Sequence, residues 1–348
     1  MIVKKFPKTS ILLMLLLALT AYSYSWTYTP HGRMDYLAAV SLHVLSFEIN
    51  YQPDPELDFT FPLPANLLFA ISAGLPGKEM QKTQDISIPS GDTTIAARIY
   101  WPHIIEGAEK PLPITIYFHG GGFVVGDIDI FDNMARSLAH ATESILVSVD
   151  YRLAPRHPYP AAVDDAYAAL NWVAENAASL GGDPSAIAVA GDSAGGNLAT
   201  VTTIKARNEK GPAIAAQLLF YPGADLKRTD YPSVEKFIDG YGLSTESIRH
   251  FREAYFGHVD DLTDPYISPY HASTLENLPP ALIVTAGFDP LTDGAHAYAE
   301  RLKASGVTTV VKHYPEMYHG FMGIKLFADQ RDALVETGKF LKRILAEG

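Results

Sequence analysis

The chain contains no cysteine, which excludes a disulfide framework, a thiolate metal site, a cysteine nucleophile and a lipid anchor attached through sulfur. Positive charge is also scarce. Against 39 Asp and Glu stand 27 Lys and Arg, a formal net charge of −12, and no local run of basic residues offsets it. That balance argues against nucleic acid as a partner. Only 19% of the 348 residues are charged while 47% are hydrophobic, too little charge for a disordered chain and enough apolar material for a sizeable core. Repeats and low-complexity linkers are absent.

The first 25 residues do not belong to that core. Lys4, Lys5 and Lys8 precede an unbroken apolar run from Ile11 to Leu19, and small residues follow at Ala21, Ser23 and Ser25. This is the layout of a secretory signal peptide, and it predicts an exported protein, periplasmic or secreted. The run is short for a bilayer-spanning helix of about 20 residues. If it is not cleaved, residues 11–28, with Trp26 and its neighbouring tyrosines, read instead as an N-terminal membrane anchor. Residues 26–348 are then the folded protein.

Eight short apolar runs follow, at 84–88, 94–101, 114–118, 145–149, 187–190, 217–221, 281–286 and 308–314. The first two are joined by Pro89-Ser90-Gly91-Asp92, a turn suited to an antiparallel hairpin. Most of the others lack period-two alternation, the pattern of strands covered on both faces by helices. Helical patterns lie between them at 132–141, 161–178, 194–207, 293–304 and 329–346. The fold class is therefore α/β, with an eight-stranded, mostly parallel sheet flanked by helices. Two stretches break the rhythm: 31–80, rich in Pro, Leu and aromatics, and 223–277, weakly helical and rich in Tyr. They are expected to form a cap over the carboxyl ends of the strands, where ligands of open α/β sheets bind.

The sharpest local signal is Gly191-Asp192-Ser193-Ala194-Gly195, set between the strand at 187–190 and a helical run. Glycines on both sides allow the tight strand-to-helix turn that presents a serine hydroxyl beside helix N–H groups. Neither phosphate-cradle pattern, G-x-x-x-x-G-K-[ST] or G-x-G-x-x-G, occurs here. A second signal, His119-Gly120-Gly121-Gly122, follows the strand at 114–118. Three successive glycines suit a backbone that must approach a ligand closely, and their N–H groups can stabilise an oxyanion together with the N–H after the nucleophile. Gly121, Gly122 and Ala194 are assigned that role, and His119 is expected to brace the loop.

A serine nucleophile needs a base and an orienting acid, in the chain order Ser, acid, His for this kind of sheet. Asp289 follows the seventh apolar run and His319 the eighth. His313 is a rival base but sits inside an apolar run, and Asp293 is a rival acid better placed to cap the helix that begins there.

These motifs carry a resemblance. HGGGF, then Asp150-Tyr151-Arg152-Leu153-Ala154-Pro155, then GDSAGGNL, then Asp-Pro-Leu and His-Gly-Phe resemble the hormone-sensitive-lipase-like family of α/β-hydrolase esterases over about residues 84–346. The resemblance implies an α/β-hydrolase fold with a mainly helical cap from about 31–80 and 223–277, and a triad of Ser193, Asp289 and His319. One departure is Arg156, where the family usually has Glu.

The expected activity is serine carboxylesterase, acting on small acyl esters of short to medium chain without cofactor or metal. An amidase or deacetylase on the same triad is the alternative. A non-catalytic binding protein, like hormone receptors that resemble this family but lack the histidine, fits less well because His319 is present.

Overall fold

The computed structural model describes residues 18–44, 46–51, 61–103, 111–237 and 239–347, and within them the eight apolar runs all become strands of one sheet. These are β1 (Met80–Ser90), β2 (Thr93–Pro102), β3 (Leu112–Phe118), β4 (Ile145–Asp150), β5 (Gly182–Asp192), β6 (Ala216–Phe220), β7 (Ala281–Phe288) and β8 (Thr309–Tyr318). Their spatial order is 1-2-4-3-5-6-7-8. β1 and β2 form the expected hairpin, closing on the pair Ser90 and Thr93, and β2 is also antiparallel to β4. Every other pairing in the sheet is parallel.

The continuous apolar runs have the cause the sequence suggests. Successive strand residues point to opposite faces, and here both faces are dry. Ile114, Ile116 and Phe118 of β3 and Val147 and Val149 of β4 enter one core, whereas Tyr117 and Leu146 between them enter the other. Three helices cover the first face: α2 (Ala161–Asn176), α3 (Ala194–Glu209) and α5 (Thr292–Ala304), the last through Ala295, Tyr298, Ala299 and Leu302. Two cover the second, α1 (Asp132–Thr142) and α6 (Ala328–Glu347), the latter through Ala333, Leu334, Phe340, Leu341 and Ile344. Each such side chain, wholly removed from water, contributes about 1.5–3 kcal/mol when it is Val, Leu, Ile or Phe.

The two stretches outside this rhythm fold into smaller pieces. Residues 18–25 are helical, followed by a short antiparallel ladder of Tyr28–Thr29 on Gly32–Arg33 and a helix at Tyr36–Val44. A hairpin pairs Ser46–Tyr51 with Phe61–Asn66, and the helix Leu67–Gly74 follows. The later stretch holds the helix Pro232–Phe237 and α4 (Thr245–Phe256), whose Ser244 cap accepts the Ser247 N–H at 3.1 Å. The earlier stretch thus supplies strand as well as helix. The lysines and most of the apolar run of the leader fall outside the described residues.

Candidate active site

Apart from Ala194, the first residue of α3, the nominated residues lie in turns at the carboxyl ends of strands: the triple glycine after β3, Ser193 after β5, Asp289 after β7 and His319 after β8. Ser193 sits at φ 55°, ψ −117°, a conformation a non-glycine residue holds at a cost of about 1–3 kcal/mol. Packing enforces it. A Cβ on Gly195 would overlap the carbonyl oxygens of Phe118 and His119, and one on Gly191 would overlap the carbonyl of Gly195. Small residues on both sides therefore let the turn sink against β3 while the hydroxyl faces out.

His319 Nε2 lies 2.9 Å from Ser193 Oγ, and its Nδ1 lies 2.9 Å from Asp289 Oδ2. Asp289 is fully buried. Its other oxygen, Oδ1, accepts the Leu291 N–H at 2.8 Å, so the carboxylate is held at both ends. The structure therefore brings Ser193, Asp289 and His319 together, although 126 residues separate the serine from the histidine. The rivals lie elsewhere. His313 Nδ1 is 2.9 Å from the hydroxyl of Thr285. Asp293 does not cap the helix as expected: it accepts the Ser233 N–H at 2.8 Å, while Ser233 Oγ donates to the Pro290 carbonyl at 2.9 Å. Through Ser233, Asp293 ties the inserted stretch to the Asp289 loop.

The glycine loop is shaped from within, since the Gly121 carbonyl accepts the N–H groups of Val124 and Val125 at 3.1 and 3.0 Å. Among the described residues, none accepts a hydrogen bond from the N–H of Gly121, Gly122 or Ala194. His119 braces the loop as expected. Its Nδ1 pairs with the Gly120 carbonyl at 2.7 Å, and its ring stacks between Phe131 and Tyr151. Full burial pushes its pKa down to about 4, against a weaker upward pull from the Gly120 carbonyl, so the imidazole is neutral near pH 7.

Three contributors lay beyond sequence reasoning. Asp192, a spacer in the motif, is buried and accepts the Tyr117 hydroxyl at 2.6 Å and the Gly120 N–H at 2.9 Å on one oxygen. It fastens the glycine loop to the serine turn. The only sequence signal was a charge at the end of an otherwise apolar strand. Tyr151 donates to the His119 carbonyl at 2.7 Å. Phe251 of α4 lies directly on Gly122, where a Cβ would collide with its ring, and the hairpin strand Phe61–Asn66 lies against that helix. A cavity of about 1730 Å³ lies at the opposite ends of the strands, lined by Leu112, Asp183, Ala215, Pro280 and Thr308, far from this chemistry. Among the described residues no cluster of three or more His, Asp or Glu could hold a metal ion.

Burial raises the Asp192 pKa to about 6, partly opposed by the bonds from Tyr117 and Gly120 and by the nearby His319. A carboxyl raised in the folded state stabilises most below its unfolded value near 3.8, and that contribution is lost as pH rises through about 6. Asp192→Asn removes the titration but keeps an acceptor for Tyr117 and Gly120. The stability of the variant relative to the parent is thus expected to fall by about 2 kcal/mol between pH 7 and pH 4, as urea unfolding at the two pH values will measure. A difference independent of pH would show that Asp192 does not titrate in this window.

A mostly parallel eight-stranded sheet in this order, with a serine on a strained strand-to-helix turn, defines the α/β-hydrolase class. Comparison with known proteins agrees. Residues 115–323 match a family model described as alpha/beta hydrolase fold. The chain is 44% identical over 265 residues to Esterase LipI of Mycobacterium tuberculosis, covering 76% of this chain and 82% of that protein. It is 46% identical over 242 residues to Carboxylesterase NlhH of the same organism, covering 68% and 74%. A solved esterase from Pyrobaculum calidifontis superposes with a TM-score of 0.74 at 40% identity, covering 80% of this chain and 90% of that one. The chain belongs to the hormone-sensitive-lipase-like family of α/β-hydrolase-fold enzymes.

Proposed function

We propose that this enzyme is a serine carboxylesterase that transfers the acyl group of small esters to Ser193 and then to water. The observation that carries the reading is the unbroken relay from Asp289 through His319 to Ser193, with 2.9 Å at each link. His319 accepts the hydroxyl proton as Ser193 attacks the ester carbonyl, and returns it to the departing alcohol. Asp289 orients the ring and stabilises the imidazolium that forms. The negative charge that develops on the carbonyl oxygen is met by the N–H groups of Gly121, Gly122 and Ala194, already fixed before substrate arrives. Water, activated by the same histidine, then releases the acid. This chemistry needs no cofactor.

Acyl preference follows from what stands over the glycine loop. Phe251 lies against Gly122, and the segments 31–80 and 223–277 are read as a cap that covers the glycine loop. An acyl chain under such a cap gains about 0.8 kcal/mol per buried methylene until the space is filled. With p-nitrophenyl esters of rising chain length, kcat/KM is expected to peak at about four to eight acyl carbons and to fall beyond about ten, the rise following that increment. Ser193→Ala serves as the control. Efficient hydrolysis of emulsified long-chain triglyceride, with a jump in rate at the onset of emulsion, would overturn the preference.

A further inference from the structure

The residues that a signal peptidase would discard are used as folded structure. Cleavage before Trp26 would remove the helical residues 18–25, yet the last turn of that helix is fastened to the body. Ser23 Oγ lies 2.8 Å from the Tyr36 hydroxyl, and Arg33 Nη2 donates to the Tyr24 hydroxyl at 3.2 Å. The Trp26 N–H donates to the Ser23 carbonyl, and Thr27, itself buried, donates both its N–H and its hydroxyl to the Tyr24 carbonyl. Tyr22 packs edge-on against Trp26, and Tyr24 against Tyr28 and Tyr36. Trp26 in turn stacks flat on His43 of the following helix.

That helix is also rooted in the enzyme. Ala38, Ala39 and Ser41 are buried, the Asp35 N–H donates to the Glu316 carbonyl at 3.0 Å, and Ser41 Oγ meets the Tyr318 hydroxyl at 2.9 Å, one residue before His319. His31 packs against Phe237 and Tyr241, which themselves cover Phe288 beside Asp289. The leader's last residues therefore join a segment that supports the loops of both His319 and Asp289.

The outer side of the same region is apolar and aromatic. Leu19 is 63% exposed, Tyr22 65% and Tyr28 64%, with Tyr24 and Tyr36 also open to solvent. Tyrosine, apolar in its ring and polar at its hydroxyl, collects at the interface of a bilayer. The sequence leading into this collar is wholly apolar from Ile11 to Leu17 and is preceded by Lys4, Lys5 and Lys8, whose charge complements anionic headgroups. We infer that the N-terminal segment is retained, and that it holds the enzyme on an anionic lipid bilayer with the tyrosine collar seated at the headgroups. The apolar run from Ile11 to Leu19 is shorter than the roughly 20 residues of a full span, and it is flanked by residue types, lysine before it and tyrosine after it, that offset such a mismatch at the interface.

The test needs no assumption about the reaction, so it can fail while the esterase reading stands. Full-length protein is mixed in detergent with vesicles of phosphatidylethanolamine and phosphatidylglycerol, the detergent is removed, and the vesicles are floated through a density gradient. The protein is expected to float and to stay bound in high salt, and its intact mass from the membrane fraction of expressing cells is expected to include residues 1–25. Leu15→Asp with Leu16→Asp should leave the protein at the bottom of the gradient, still hydrolysing a water-soluble ester. Tyr22→Ser with Tyr28→Ser should reduce the floated fraction severalfold. Unaltered protein that stays at the bottom, a double aspartate variant that floats as well as the parent, or a cellular product that begins between Ser23 and Trp26 would each overturn the inference.

Discussion

Ser193→Ala and His319→Ala are each expected to lower kcat by about four to six orders of magnitude, and the double variant to be little worse than either, because the members of such a relay act as one unit. The geometry says why the loss is so large. Without the hydroxyl there is no nucleophile 2.9 Å from His319 Nε2, and without the imidazole the hydroxyl loses the group that accepts its proton. Ser193→Ala removes one partly exposed hydroxyl, so its unfolding midpoint should hardly move, whereas His319→Ala also takes the Nδ1 partner from the buried Asp289 carboxylate and should cost some stability while leaving the protein folded. His313→Ala is the control. Its ring bonds Thr285 and not Ser193, and its loss should leave kcat within a few-fold of the parent. Additive losses in the double variant, or a His313 variant as inactive as His319→Ala yet folded, would remove the assignment of the base.

Gly121→Ala is expected to lower kcat by about two to three orders of magnitude while KM changes little. Two effects combine at this position. Gly121 holds φ +119°, a backbone conformation that alanine adopts only at a cost of about 1–3 kcal/mol, and its new Cβ would overlap the backbone carbonyl of Val125. Backbone cannot swing aside as a side-chain tip can, so the loop must open and carry its N–H groups away from the developing oxyanion. Ground-state binding, proposed above to rest on the cap segments, is expected to be largely spared. Gly91→Ala separates strain from mechanism: Gly91 also holds a positive φ, +56°, but nothing stands within 4 Å of its Cβ position. That variant should lose about 1 kcal/mol of stability and no activity. Steady-state kinetics and urea unfolding on both variants decide the matter, and a Gly121→Ala enzyme with undiminished kcat would take the oxyanion role away from this loop.

The sheet was legible because its signals are local. A run such as Ile145 to Val149 with no polar alternation can only be a strand covered on both sides, and the structure puts Leu146 in one core and Val147 in the other. The positions of Ser193, Asp289 and His319 were legible for the same reason, each falling in the turn directly after a recognisable strand. Local reasoning failed at Asp293. A carboxylate at a helix start looks like a cap, but this helix has no side-chain cap, and the partner of Asp293 is Ser233, 60 residues away.

The sequence by itself determined the α/β sheet, the serine turn with its flanking glycines, the triple-glycine loop and the placing of Asp289 and His319 after successive strands. Strand periodicity and the turn chemistry of glycine act over a few residues, so a single sequence displays them. Only the tertiary structure decided what holds those pieces in register: Asp192 clamping Gly120 across 72 residues, Phe251 lying on Gly122, Ser41 meeting Tyr318 across 277 residues, and Tyr24 built into the body. Such contacts join residues whose neighbours in sequence give no sign of the partner. They arise when the closed core brings distant polar groups out of water together, where each must find a bond or bear the cost of desolvation.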